Sequence, residues 1–324
     1  MEDRGLNRGV LYINVTSHYL PAITIRNERY QCLAGVSAGW IQKRSGIRSR
    51  TRACCHENTS TMAVEACKHA FEQIPYSVKD IDLIVGATYT PCDTIVTLAH
   101  AVQHFFDVPK ARAISISSAC SSSINAIEVV EGYFATGKAH KALVIASEHN
   151  STYSDDTDAQ CGRLWGDGAG AVFISKEKIS EKDVKILDIN TTGLGPFGKA
   201  MDAIRMRPGN GSLRMPASRD IFSNAIRYMV TEVKTTLKKN HYTTKDIAHL
   251  IPHQANLRII SQVGEALGLH NGEAVTNVED TGNTGCASTT IALSQSWKKF
   301  KKDELIAVTV FGGGYSSGAM LLKK

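Results

Sequence analysis

The sequence predicts an α/β fold on three observations: apolar runs of strand length recur along the chain, amphipathic helical patterns stand between them, and small-residue turns join the two. The runs cover residues 81–88, 113–117, 142–147 and 169–175, then 185–191, 249–252 and 306–311. The clearest helix follows from Ile221, Phe222, Ala225, Ile226, Met229, Val230, Val233 and Leu237, which recur at three- and four-residue intervals and so bury one face. A second helix is expected after Asn256, with Leu257, Ile260, Val263 and Leu267 in register and Gly268 as its stop. A third runs from the turn around Cys120 to Gly137.

At 324 residues the chain has length for two domains or one duplicated α/β unit. The polar, charged stretch 176–183 is the expected boundary. It divides residues 1–178, which carry Cys120, from 179–324, which carry His253 and Asn283. Each half is expected to present a reactive residue just after a strand, Cys120 in the first and His253 in the second, as an internal duplication would. Gly193 to Gly211, with Pro196, Pro208 and five glycines, reads as a loop near a site or an interface.

Composition narrows the function classes. The start has Arg4 and Arg8 but no apolar signal core, and no stretch approaches the roughly 20 apolar residues of a membrane span, so a soluble cytoplasmic protein without membrane insertion is expected. The eight cysteines are scattered without CxxC pairs, which argues for reduced thiols and against a metal centre. A net charge of +6 favours an acidic partner. Nucleic acid is not expected, because the densest basic tract, Lys298-Lys299-Phe300-Lys301-Lys302, reads as a solvated helix end.

Cys120 lies in Ser-Ala-Cys-Ser-Ser-Ser between a strand and a helix. The helix would aim its unpaired amides and positive end at the sulfur, which favours the thiolate, the attacking form. His253 in Pro252-His253-Gln254-Ala255-Asn256 and Asn283 in Gly282-Asn283-Thr284-Gly285 are the candidate base and second donor for thioester chemistry. Gly312-Gly313-Gly314, directly after a strand, suits close approach of a backbone amide to a developing oxyanion. The Gly166-Asp167-Gly168-Ala169-Gly170 segment lacks the lysine of a phosphate loop.

Taken with Gly39-Trp40-Ile41, Arg44-Ser45-Gly46-Ile47-Arg48 and Pro252-His253-Gln254-Ala255-Asn256-Leu257-Arg258, these segments resemble the β-ketoacyl-acyl-carrier-protein synthase III family of the thiolase superfamily, over nearly the whole chain. The resemblance implies a thiolase-like five-layered α-β-α-β-α duplication, a homodimer, and an acyltransferase needing no cofactor beyond its acyl-CoA and acyl-carrier-protein substrates. It implies that Cys120 is acylated, that His253 and Asn283 complete a triad, and that the amides of Cys120 and Gly313 form the oxyanion hole. Trp40, Arg44 and Ile95 would bind substrate or coenzyme A, and Arg258 would dock the carrier protein. The expected reaction is a decarboxylative Claisen condensation in fatty acid biosynthesis. The alternative is a specialised ketosynthase or acyltransferase of secondary metabolism, of dialkylresorcinol or quinolone type, that transfers acyl groups without decarboxylation. A Cys-His-Asn hydrolase uses the same residue types, and a non-catalytic partner subunit would need none of the three.

Seven positions, at four sites, depart from the family pattern. Ser121-Ser122-Ser123 replaces the usual Ala-Gly-Phe, and Gly285-Cys286 stands where Ser-Ala is common. Ile95 takes the place of a Phe contributed across the dimer, and Ala159 that of a coenzyme-A-binding Arg. Loss of the Phe leaves more pocket volume, so acyl groups longer than acetyl are expected.

Overall fold

The computed structural model describes residues 10–207, 211–269 and 273–324; Arg4, Arg8 and Pro208 lie outside them. The strands are β1 (Leu11–Tyr19), β2 (Ile23–Arg26), β3 (Ser49–Arg52), β4 (Leu83–Ala87), β5 (Arg112–Ile116), β6 (Lys141–Glu148), β7 (Gly168–Ser175), β8 (Val184–Gly193), β9 (Ile247–Pro252), β10 (Leu305–Gly312) and β11 (Ser316–Lys323). All seven predicted runs are strands. β1, β11 and the β2–β3 pair were not predicted.

β2 pairs with β3, and the other nine strands form one sheet in the order β5-β4-β6-β7-β1-β8-β11-β10-β9. That order is a palindrome about the β1–β8 contact. β4 is parallel to β6, and β7 and β1 then follow antiparallel. On the other side β9 is parallel to β10, and β11 and β8 follow antiparallel. β5 lies parallel to β4, and its counterpart is a single parallel bridge between Leu250 and Ala274 beside β9.

This topology corrects the expected equivalence of Cys120 and His253. Cys120 follows β5, whose counterpart segment runs from Ala274 towards Asn283. His253 follows β9, whose counterpart β4 leads into Thr88, Tyr89 and Thr90. The sequence reading was displaced by one strand because a one-residue bridge has no apolar run to announce it.

Alternation along each strand sorts side chains into layers. Val85, Val144 and Val172 face a central cluster with Ile306, Val308 and Met320, and this cluster holds the apolar faces of helices Ser122–Ala135 and Ser288–Ser296. Ile84, Leu143 and Phe173 face the other way, onto helices Thr59–Lys68 and Leu98–Phe105. Ala307, Phe311 and Leu321 face helices Ser218–Lys239 and Leu257–Ala266. The layers run helix, half-sheet, helix, half-sheet, helix, the two halves of the one sheet being joined where β1 pairs with β8. The 22-residue helix Ser218–Lys239 buries Ile221, Ala225, Met229, Val233 and Leu237, the face its spacing predicts. Lys298 and Lys299 sit in a short 3-10 turn that caps helix Ser288–Ser296, solvated as expected.

The two halves meet backbone to backbone where β10 ends. A Cβ added to Gly312 would lie 2.9 Å from the Cys120 amide nitrogen, 2.9 Å from the Ser118 carbonyl oxygen and 3.0 Å from the Ser121 nitrogen. Backbone atoms cannot rotate aside, so Gly312→Ala is expected to cost about 1–3 kcal/mol through overpacking. Gly132, exposed inside helix Ser122–Ala135 with nothing near its Cβ position, is the control. Gly132→Ala should stabilise by about 0.5–1 kcal/mol through helix propensity. Denaturant unfolding of the two variants checks the opposite signs.

Candidate active site

Cys120 is presented by a turn that the serines tie together. Ala119 takes a left-handed conformation (φ 49°), which an Ala adopts only when its surroundings impose it. The Ser118 amide donates to Ser122 Oγ at 2.7 Å, and the Ser122 hydroxyl donates to the Ala119 carbonyl at 2.6 Å. Ser121 Oγ donates to the Ser118 carbonyl at 2.8 Å and also bonds to Ser316 on β11. Ser123 meets Thr289 Oγ1 at 3.1 Å, joining the two central helices. The three serines thus close the turn upon itself and onto the second half.

The amides of Gly313 and of Cys120 itself lie beside the Cys120 sulfur and favour the thiolate, whereas the nearby Tyr89 hydroxyl donates to Asn150 Oδ1 at 2.8 Å. Burial outweighs them. With 5% of its surface exposed and the Glu148 carboxylate nearby, the thiol is pushed up to about 12. This reverses the expectation that the helix end keeps Cys120 ionised: removing a sulfur anion from water costs more than the helix end returns. Glu148 is itself pushed up to about 7 by burial.

His253 ends β9, its amide donating to the Thr309 carbonyl at 2.8 Å. Its Nδ1 lies 2.7 Å from Ser288 Oγ, which also accepts from the Gln254 amide at 3.3 Å. Among the described bonds His253 Nδ1 is the one acceptor open to the Ser288 proton. The ring proton therefore sits on Nε2, the form that donates into the cavity. Burial lowers His253 to about 4, so the imidazole is neutral at ordinary pH.

Asn283 is fixed through its backbone and its side-chain oxygen. Its amide donates to the Leu164 carbonyl at 2.8 Å, its carbonyl accepts from the Gly166 amide at 3.0 Å, and Oδ1 accepts from the Gly285 amide at 2.9 Å. That leaves Nδ2 as its donor towards the cavity. Gly166 is required here, because a Cβ would collide with the Thr281 carbonyl.

Cys120, His253, Asn283, Phe311 and Gly312 line one end of a cavity of about 560 Å³. Leu164, Trp165, Ile204, Met215 and Met229 wall it, and Trp40, Arg44, Arg219 and Arg258 line its exposed part. Trp40 carries the Arg163 guanidinium at 4.6 Å and that of Arg44 at 5.5 Å from its ring. Arg163 reaches Trp40 from beside Ala159, and it bonds to the Ala159 and Gln160 carbonyls. Ile95 is 83% exposed and does not line the cavity within this chain. Arg163, Arg219, Ser288, Glu148 and Tyr89 were not singled out from sequence. Among the described residues no group of His, Cys, Asp or Glu is placed to hold a metal, and no helix is long and apolar enough to cross a membrane.

A thiol held neutral by burial has a direct signature. Alkylation of Cys120 by iodoacetamide, read by peptide mass spectrometry against the exposed Cys32 and Cys92, should rise about tenfold per pH unit from pH 7 to 10 with no plateau. A plateau below pH 8 would mean that the helix end prevails over burial.

Residues 114–195 match the family described as 3-oxoacyl-[acyl-carrier-protein (ACP)] synthase III, and residues 237–324 match its C-terminal part. A β-ketoacyl-[acyl-carrier-protein] synthase III of Aliarcobacter butzleri is 33% identical over 323 residues, 94% of this chain and 95% of that protein. The solved 3-oxoacyl-[acyl-carrier-protein] synthase III of Aquifex aeolicus superposes with a TM-score of 0.90 at 32% identity, over 97% of this chain and all of the other. The priming β-ketosynthase of the R1128 polyketide biosynthetic pathway superposes with a TM-score of 0.88 at 26% identity, over 98% and 97%. The fold is thiolase-like, the chain is an acyltransferase, and it belongs to the 3-oxoacyl-[acyl-carrier-protein] synthase III family.

Proposed function

We propose that this chain is a β-ketoacyl-acyl-carrier-protein synthase III-like condensing enzyme of fatty acid biosynthesis, which loads an acyl group on Cys120 and extends it with a malonyl-carrier thioester. The observation that carries this reading is the convergence of one thiol and two neutral donors, His253 Nε2 and Asn283 Nδ2, on one end of a cavity whose exposed part is cationic.

In loading, the Cys120 sulfur attacks the donor's thioester carbonyl. Its proton leaves with the departing thiol, and the amides of Cys120 and Gly313 hold the oxyanion. The malonyl thioester then occupies the cavity. Its carboxylate leaves as carbon dioxide, and the electron pair of the broken C–C bond becomes an enolate whose oxygen accepts from His253 and Asn283. The enolate carbon attacks the acyl-Cys120 carbonyl and expels the cysteine sulfur. A neutral His253 suits this duty, since it donates without first acquiring a proton.

Arg258, exposed at the start of helix Leu257–Ala266 with Phe222 under its guanidinium, is the proposed docking cation for the acidic carrier protein. Arg44 and Arg219 extend the same cationic rim. The protein is proposed to work in the cytoplasm as a cofactor-free homodimer, the second copy covering Ile95 and Val96, which this protomer leaves 83% and 56% exposed. A specialised ketosynthase of secondary metabolism is the second reading. The serine-rich nucleophile turn, Ala159 and the likeness to a polyketide priming enzyme favour it.

Asn283→Ala separates the half-reactions. It removes one enolate donor and leaves the thiol in place, so burst acylation of Cys120 should persist while condensation falls about a hundredfold or more. Both are followed by mass spectrometry, with circular dichroism to establish folding. Equal losses of loading and condensation would remove the proposed division of labour.

A further inference from the structure

Asn150 opens the short helix Asn150–Tyr153 just after β6 and is fully buried. Its Nδ2 donates to the Gly166 carbonyl at 2.8 Å and to the Asn283 carbonyl at 3.2 Å. Carbonyls only accept, so the amide must turn its NH2 group towards them, and Oδ1 is left facing the Tyr89 hydroxyl, which donates to it at 2.8 Å. The Tyr89 hydroxyl thereby sets which end of the Asn150 amide meets the Asn283 loop.

The members of this chain are anchored from behind. The Glu148 carboxylate, fully buried, fixes the turn that carries Tyr89: it accepts from the Tyr89 amide at 3.2 Å, the Thr90 amide at 3.1 Å and the Thr88 hydroxyl at 3.1 Å, and also from the Thr90 hydroxyl. Ser151, next to Asn150, donates through its amide and hydroxyl to the Asp167 carboxylate at 2.8 and 2.6 Å, and Asp167 also accepts from the Ala53 amide at 2.8 Å. What this frame grips is the Asn283 backbone, whose carbonyl accepts from both Asn150 Nδ2 and the Gly166 amide. Asn283 lines the cavity, whereas Asn150 and Tyr89 do not. Their influence on a bound thioester therefore passes through Asn283.

We propose that Asn150 is a positioning residue for the condensation half-reaction: with its amide oriented by Tyr89, and the Tyr89 turn held by Glu148, it sets the Asn283 backbone and so the point from which Asn283 Nδ2 meets the enolate oxygen. A preorganised donor loses its effect when it is misplaced by a fraction of the hydrogen-bond length. Loading of Cys120 does not use Asn283, so the chain from Glu148 to Asn150 acts on one half-reaction and leaves the other. The proposal rests on the reading of Asn283 as an enolate donor.

Single-turnover kinetics test it in Asn150→Ala, Tyr89→Phe and Asn283→Ala, alone and combined. Each protein is loaded with whichever of acetyl-, butyryl-, hexanoyl- and octanoyl-CoA acylates the wild type fastest, then mixed with malonyl-carrier protein, with circular dichroism to establish folding. In Asn150→Ala, condensation by the acylated enzyme should fall about tenfold or more while loading stays within about twofold of wild type. Tyr89→Phe removes one hydrogen bond and should slow condensation about three- to tenfold, again sparing loading. Neither substitution should slow condensation further once Asn283 is Ala, and Tyr89→Phe should add nothing to Asn150→Ala. A merely structural role would instead lower both half-reactions and add to Asn283→Ala. If Asn150→Ala unfolds, Tyr89→Phe alone and with Asn283→Ala carries the test. Condensation at the wild-type rate in the folded variants, equal losses of loading and condensation, or full additivity with Asn283→Ala would overturn the proposal. Wild-type condensation by Asn283→Ala itself would instead overturn the reading of Asn283 beneath it.

Discussion

The close approach of the end of β10 to the Cys120 turn is the contact on which the rest of the site depends. Gly312 touches Cys120, Ser118 and Ser121 through backbone alone. This brings the Gly313 amide to the sulfur of a residue from the other half of the chain. A second seam contact repeats the device. Gly166 sits against the Thr281 carbonyl, and its amide bonds to Asn283, fixing the donor of one half on a loop of the other. The active constellation therefore exists only as an assembly of both halves, and glycine is required at each point of contact because any Cβ would push them apart.

Electrostatics follow from the same burial. The seam excludes water, so the thiol, the imidazole and Glu148 are all displaced towards their neutral forms. A site of neutral donors around a latent anion is suited to charge that arises in the reaction rather than charge that rests in the free protein. Preorganised dipoles in such a site stabilise a developing oxyanion without reorganising at the moment of reaction. The Ser288 contact to His253 Nδ1 serves the same end by setting which ring nitrogen carries the proton.

Much of the fold was legible because central strands are continuously apolar and the long helix keeps a clean period. β1 was not, because Asn14, Thr16, Ser17 and His18 interrupt its apolar run. Their partners are long-range: Asn14 bonds to Ser175, Thr16 to Ala171 and Ser17 to Ala66. Ser316-Ser317-Gly318 likewise concealed the start of β11. In the site, Cys120, His253 and Asn283 stood out by residue type and local punctuation. Glu148 did not, since a residue at the end of an apolar strand reads as core. The resting charge of Cys120 was misread because local geometry supplies the helix end but not the depth of burial.

In the proposed reaction, carbon–carbon bond formation at this seam is driven by loss of carbon dioxide. A single-turnover experiment with malonyl-carrier protein labelled at its free carboxyl, added to enzyme pre-acylated on Cys120, tests it most directly. One labelled carbon dioxide should be released for each acyl group consumed and each β-ketoacyl product formed. Consumption of the acyl group with the label retained on the carrier thioester would contradict it.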